Sequence, residues 1–168
     1  MKNTAIIIPT RLNAKRFPNK PLAKINNLPM IIHVLNKAKE SKVGEVLVAT
    51  PDDKIYQIVK ENGGIAVLTK PDHLSGSDRI YEAYVKELKN KVDLIINLQG
   101  DMPNIKPNSI SKLEKLMRNN ICDIGTLASY IKDKNEIEDP NVVKVNLKKN
   151  LKEDDFFVAK DFFRTKKD

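Results

Sequence analysis

Apolar positions along the first 118 residues recur in two alternating patterns, one nearly continuous and one with helical spacing. Thr4 to Pro9 is an almost unbroken apolar run, which predicts a parallel strand buried on both faces. Pro29 opens a helix in which Ile31, Val34, Leu35 and Ala38 fall at i, i+3, i+4 and i+7. Glu45 to Ala49 predicts a second strand, and Asp52 to Asn62 a helix with Ile55, Ile58 and Val59 inward and Gly63-Gly64 as its stop. Ile65 to Thr69 reads as the third strand. The next helix, capped by Ser75 or Ser77, groups Tyr81, Tyr84, Val85 and Leu88 on one face. Leu94 to Leu98 is the fourth strand and Pro107 to Arg118 a further helix. Beyond it the pattern predicts strands over Ile124 to Ile131 and Val142 to Leu147, joined by a short helical link from Asp133 to Asp139.

Strands alternating with helices call for an α/β fold, a Rossmann-like and mainly parallel sheet flanked by helices and closed by right-handed crossovers. Ligands of such sheets bind beyond the carboxyl ends of the strands. Three chemically unusual loops lie at those ends. Arg11 to Pro21 follows the first strand, Lys70 to Arg79 the third, and Gln99 to Pro103 the fourth.

Charge singles out the first loop. Residues 1 to 39 carry eight cations and no acid, while the whole chain has a net charge of +8, so the rest of the chain is balanced. A nucleic-acid coat would spread its excess, and only nine residues are aromatic, none interleaved with the basic loop. The pattern points to a small polyanion. Arginine is scarce against 25 lysines, occurring only at 11, 16, 79, 118 and 164. At those positions a rigid fork for phosphate or carboxylate is expected.

The other two loops each allow two readings. Asp101, directly after an apolar strand and Gly100, is either part of a turn or a Mg²⁺ ligand, since Mg²⁺ takes one or two carboxylates and fills its shell with water and phosphate oxygens. Gly100 allows close approach of backbone to ligand, and Gln99 offers a donor and an acceptor. Ser75-Gly76-Ser77 either caps a helix or presents N–H groups and hydroxyls to a phosphate or a base edge. There is no His/Cys cluster, no Ser-His-Asp order and no Walker motif, so zinc, triad-hydrolase and ATPase readings gain nothing.

With 40% hydrophobic residues in a chain of 168, a real core can be buried. No apolar run approaches the roughly 20 residues of a membrane span, and the N-terminus lacks a signal-peptide h-region, so a cytoplasmic location without membrane attachment is expected. The lone Cys122 excludes an intrachain disulfide and reads as a core residue.

Taken together, Ile-Ile-Pro-Thr-Arg, Lys-Arg-Phe-Pro-Asn-Lys-Pro-Leu, Pro-Met-Ile-Ile-His-Val, Val-Ala-Thr, Asp-His-Leu-Ser-Gly-Ser-Asp-Arg, Gln-Gly-Asp-Met-Pro and Asn-Val-Val-Lys-Val closely resemble the 3-deoxy-manno-octulosonate cytidylyltransferase (CMP-Kdo synthetase) family, in order, from residue 5 to about 147. The resemblance implies a nucleotidyltransferase with a glycosyltransferase-A-like fold that joins CTP and the acidic sugar Kdo, with Mg²⁺ as cofactor, for lipopolysaccharide synthesis. It implies that Arg11, Arg16 and Lys20 hold the CTP phosphates, that Ser75, Gly76, Ser77 and Asp78 help recognise cytosine, that Asp101 binds metal, and that Gln99 faces the sugar. Arg11, Lys20 and Asp101 would carry catalysis. Residues 1–147 would form the nucleotide-binding domain and 148–168 the start of a sugar-binding and dimerisation portion. The family continues with a dimer-forming segment and a late Val-Asp-Thr-Pro-Glu-Asp motif carrying a second metal carboxylate, so the expectation is an N-terminal part with the C-terminal portion absent. Homodimers are expected of the full-length family. Phe162-Phe163-Arg164 is a partial counterpart of the family's Tyr-Phe-Ser-Arg, without its serine, and nominates Arg164 for the Kdo carboxylate.

Overall fold

The structure, a computed structural model, describes residues 3–13, 17–119, 122–147 and 156–165. The chain divides into two compact units, Met1–Arg118 and Asn119–Asp168. That division falls ahead of residue 147, where the sequence reading drew its functional boundary.

In the first unit, β1 (Thr4–Pro9) is followed by a 3-10 turn (Lys20–Leu22), a small hairpin of β2 (Lys24–Ile25) and β3 (Leu28–Pro29), and α1 (Met30–Glu40). Then come β4 (Glu45–Thr50), α2 (Asp53–Glu61), β5 (Ile65–Leu68), α3 (Gly76–Ala83) running into a π turn (Tyr84–Leu88), β6 (Leu94–Asn97) and α4 (Pro107–Asn119). The sheet is parallel, in the order β5-β4-β1-β6, with Ile6 registered between Val46 and Ile96. This is the predicted Rossmann-like arrangement.

Strand β1 is central because it can bury both faces. Ile6 and Ile8 pack with Ile31, Leu35, Val59 and Ile110 from α1, α2 and α4, whereas Ala5 and Ile7 pack with Ile80, Ala83 and Leu88 on the opposite face. Each of the three isoleucines is fully buried, worth about 1.5–3 kcal/mol apiece. His33 ties α1 to the hairpin, its Nε2 lying 2.8 Å from the Ile25 carbonyl.

At the amino ends of the strands, Arg118 Nη1 donates to Asp93 at 2.7 Å, Nε to Glu114 at 3.0 Å and Nη2 to Thr4 Oγ1 at 2.8 Å. This arginine meets carboxylates, as expected, and its place is far along β1 from the carboxyl end.

Three expectations are corrected. The buried face of α3 is Arg79, Ile80 and Ala83, continued by Leu88, while Tyr81 is 67% exposed. Leu88 is buried and Tyr84 packs beside it, as expected, whereas Ile80 and Ala83 take the inward places expected of Tyr81 and Val85, since Ile80, Tyr84 and Leu88 stack at i, i+4 and i+8 on the face toward the sheet. Residues 124–131 form no strand; their backbone has no ladder partner among the described residues, and Ile124 is almost fully exposed. Cys122 is only half-buried.

In the second unit α5 (Lys134–Glu138) precedes an antiparallel pair, β7 (Lys144–Leu147) and β8 (Ala159–Phe163). Buried Lys144 donates to the carbonyls of Asp139 and Arg164, at 2.5 and 2.6 Å.

Candidate nucleotide-binding site

The ends of β1, β5 and β6 open on one cleft of about 290 Å³. Its walls are Pro9 to Arg11 with Lys20 and Pro21, then His73 to Gly76 with Arg79, and finally Gln99 to Asp101. All three loops marked out by sequence therefore meet in it.

The basic loop is closed at its neck. Thr10 N–H donates to the Ala49 carbonyl, Leu12 N–H to Asp52 Oδ2 at 2.8 Å, and Asn19 N–H to the Leu12 carbonyl at 3.0 Å. Asn19 is left-handed (φ 58°), a conformation that asparagine tolerates well, and it turns the chain into the Lys20–Leu22 turn. Lys20 thus returns to the strand ends, where its Nζ lies 2.8 Å from Asp101 Oδ2. Arg11 is exposed on the cleft wall, and Arg16 lies outside the described residues.

Asp101 owes its position to Gly100. A Cβ at Gly100 would stand 3.2 Å from the Pro9 carbonyl oxygen and 3.2 Å from Thr10 Cβ. The close approach that this glycine permits is thus to the end of β1, where the sequence suggested a ligand. Gln99, also on the wall, donates from Nε2 to Asn97 Oδ1 at 2.7 Å.

The second wall begins with a complete capping box. Ser75 Oγ accepts from Asp78 N–H, and the Asp78 carboxylate accepts from Ser75 N–H at 3.0 Å and Ser75 Oγ–H at 2.7 Å. Those bonds from Ser75 hold the Asp78 carboxyl below its ordinary pKa. Ser75 and Gly76 line the cleft; Ser77 and Asp78 do not.

Three neighbours had no site role assigned from the sequence, although Arg79 was among the positions expected to carry a fork for an anion. Arg79 and His73 line the cleft. Behind His73 stands Glu82, whose carboxylate accepts from His73 Nε2, from Lys70 N–H at 2.9 Å and from Lys86 Nζ at 2.7 Å. Partial burial pushes the Glu82 carboxyl up, but Lys86, His73 and the Lys70 amide outweigh it and bring the pKa to about 2. The remaining nominee, Arg164, lies in the second unit and donates to the carbonyls of Pro140 and Asn141, at 3.2 and 3.0 Å.

Asp101 is the one carboxylate among the lining residues described, and no group of three or more His, Cys, Asp or Glu that could hold a metal occurs among the described residues. Its carboxylate is half-exposed and already faces a cation, the Lys20 ammonium. The donor set fits Mg²⁺ brought in with phosphate and water, and does not fit a metal caged by protein alone.

A family profile described as cytidylyltransferase matches residues 5–168. The chain belongs to the cytidylyltransferase family. Similar members include the 3-deoxy-manno-octulosonate cytidylyltransferase of Nitrobacter winogradskyi, 44% identical over 142 residues, which are 84% of this chain and 56% of the relative. That of Methylorubrum extorquens strain PA1 is 43% identical over 146 residues, 86% and 59% of the two chains. The chain therefore spans just under three-fifths of the length of the curated relatives it matches. Among solved structures, CMP:2-keto-3-deoxy-manno-octonic acid synthetase complexed with CTP matches with a TM-score of 0.81 at 34% identity, over 98% of this chain and 65% of that one. A cytidylyltransferase from Leptospira borgpetersenii matches at 0.63 and 26%, over 72% and 51%. In this cytidylyltransferase chain the residues that line the cleft, from Pro9 to Asp101, all fall inside the matched region.

Proposed function

We propose that the chain is the nucleotide-binding part of an enzyme that joins CTP and Kdo into CMP-Kdo, with release of pyrophosphate, for lipopolysaccharide synthesis. The observation that carries this reading is the meeting, in one cleft, of Arg11, Lys20, the start of α3 and the single carboxylate of Asp101. The names of the relatives support the choice of sugar.

Arg11, Lys20 and Arg16 hold the triphosphate, and the N–H groups at the start of α3, kept in place by the Ser75–Asp78 capping box, face the nucleoside. Gln99 faces the sugar, and Arg164 is assigned to its carboxylate. Asp101 would hold Mg²⁺, which when bound neutralises phosphate charge. The anomeric hydroxyl of Kdo attacks the α-phosphorus in line, and the Arg11 and Lys20 cations stabilise the charge that gathers on the departing pyrophosphate. Residues 1–147 carry nucleotide binding and 148–168 begin the sugar-binding and dimer-forming portion of a homodimer. Exposed Val158 and Phe162 of that portion support such pairing. With CTP as substrate the site of action is the cytoplasm, and no described helix is long and apolar enough to cross a membrane.

One observation favours a second reading, nucleotide binding without turnover: Asp101 has no carboxylate companion among the residues lining the cleft. Calorimetric titration with the four ribonucleoside triphosphates and Mg²⁺, followed by a coupled pyrophosphate assay beside Asp101→Asn, separates the two. Asp101-dependent pyrophosphate release from CTP and Kdo supports the enzyme, and CTP binding without release supports the second reading. Failure to bind CTP removes both.

A further inference from the structure

Arg79 combines two properties that a core residue does not normally combine. It lies on the buried face of α3 beside Ile80 and Ala83, with 3% of its surface exposed, and it lines the cleft. Its Nη1 donates to Thr69 Oγ1 and to the Lys70 carbonyl, the latter at 3.0 Å. Both acceptors are neutral. None of the ion pairs among the described residues includes Arg79. Burial first, and the nearby Arg11 cation second, push its pKa below the ordinary arginine value, outweighing the carboxylates of Asp52, Glu82 and Asp72, which pull the other way. The side chain nonetheless stays charged, since a guanidinium keeps its proton in proteins.

The other edge of the guanidinium, Nε and Nη2, has no partner in the protein. Among the described residues no fully buried side-chain nitrogen or oxygen lacks a hydrogen-bond partner. The free edge is therefore not sealed in the core, and the residue that carries it lines the cleft. A buried cation with no carboxylate bonded to it is destabilising, and an apolar side chain of similar volume would serve the fold at least as well. The cost is offset when something in the cleft accepts the two free N–H groups.

Nε–H and one Nη2–H point in parallel and match a pair of adjacent acceptors. A cytidine nucleotide offers such pairs on its phosphates and at N3 and O2 of the base. The phosphates already have exposed Arg11 and the half-exposed Lys20. Arg79 is sunk into the wall one helical turn past Ser75 and Gly76, where a Cβ on Gly76 would touch the Pro9 ring at 3.5 Å. That surrounding suits a flat, uncharged base edge better than a hydrated phosphate.

We propose that Arg79 is the residue that selects cytosine, donating from Nε and Nη2 to N3 and O2 of the base. The assignment rests on the nucleotide-binding reading above and adds to it a reason for the choice of base. Uracil presents N3–H where cytosine presents a lone pair, so one of the two bonds is replaced by a donor facing a donor. A bidentate contact of this kind discriminates by roughly 10- to 100-fold.

The test titrates the wild-type chain, Arg79→Lys and Arg79→Met with CTP, UTP and inorganic tripolyphosphate, all with Mg²⁺, and records melting midpoints alongside. Wild type should prefer CTP over UTP by about 10- to 100-fold. Arg79→Lys keeps a charge but not the planar fork, and Arg79→Met keeps apolar volume alone; in both, CTP affinity should fall to near that of UTP while tripolyphosphate binding changes by less than about threefold, the margin that context sets on such contacts. Should Arg79→Met fail to fold, Arg79→Lys still decides. A parallel loss of CTP and tripolyphosphate affinity would make Arg79 a phosphate ligand and overturn the assignment, as would a CTP preference that survives in a folded variant or is absent from wild type. A wild-type chain that binds none of the three defeats the nucleotide-binding reading itself, and the base assignment with it.

Discussion

Lys20→Ala should change two binding constants in opposite directions. Lys20 lies 2.8 Å from Asp101, with side chains 35% and 52% exposed, so the ion pair stabilises the fold by no more than about 1 kcal/mol and the melting midpoint should move by only about 2–4 °C. Nucleotide binding loses a charge-assisted contact to phosphate, about 1.5–3 kcal/mol, or roughly 10- to 100-fold. Free divalent cation should gain. The Lys20 ammonium stands beside the Asp101 carboxylate, and a unit charge repels a divalent ion about 4 Å away by ~2 kcal/mol in a water-like medium. Allowing for the lysine swinging aside, the Mn²⁺ affinity of the nucleotide-free variant should rise about fivefold, equivalent to ~1 kcal/mol. Electron paramagnetic resonance counts free Mn²⁺ directly, and Asp101→Asn sets the background. If Mn²⁺ binds Lys20→Ala no better than wild type, the idea that the lysine repels a cation at Asp101 is wrong; undiminished CTP affinity would separately remove Lys20 from the phosphate site.

Three further outcomes follow from the cleft wall and the core. Glu82 has a folded pKa of about 2 against an ordinary 4.5, so its contribution to stability is present above pH 4.5 and is lost as the pH falls toward 2; urea melts at pH 5 and pH 3 should show this loss in wild type and much less of it in Glu82→Gln. Ser75→Ala removes the cap of α3 and should cost about 1 kcal/mol, seen as a lower midpoint together with weaker CTP binding; a normal midpoint would mean that the capping box contributes nothing. Ile7→Ala, in the middle of β1, should cost about 2–5 kcal/mol in denaturant titration, and a smaller loss would show that the α3 face of the sheet repacks readily.

How far the sequence could be read depended on whether local spacing and tertiary packing agreed. β1 and β4 were legible because a strand buried on both faces leaves an apolar run that few other structures need. α3 misled at Tyr81 and Val85, which face water although they share helical spacing with Tyr84 and Leu88, the two that do pack on the core. Asp101, Lys20 and Ser75 could be nominated from type and position after strands. Arg79 could not be placed in the cleft by that rule, although one signal was present: a scarce arginine beside Ile80 and four residues before Ala83, where an apolar side chain would be expected. Glu82 and His73 gave no such signal, since their pairing joins a helix to the loop before it and nothing in the spacing of the two residues demands it.

The contact between the ends of β1 and β6 bears on how ligands enter and leave. With Gly100 pressed on Pro9 and Thr10, the roots of the two loops are spaced by backbone against backbone, and Thr10 N–H and Leu98 N–H are each bonded to neighbouring strands. They cannot part without breaking the sheet. Opening is then left to the outer reaches of the cleft, among them residues 73–76, so amide exchange should be slow at Thr10 and Leu98 and quicken outward along that loop. Release of a nucleotide product would be paced at the rim of the cleft, with its floor held still.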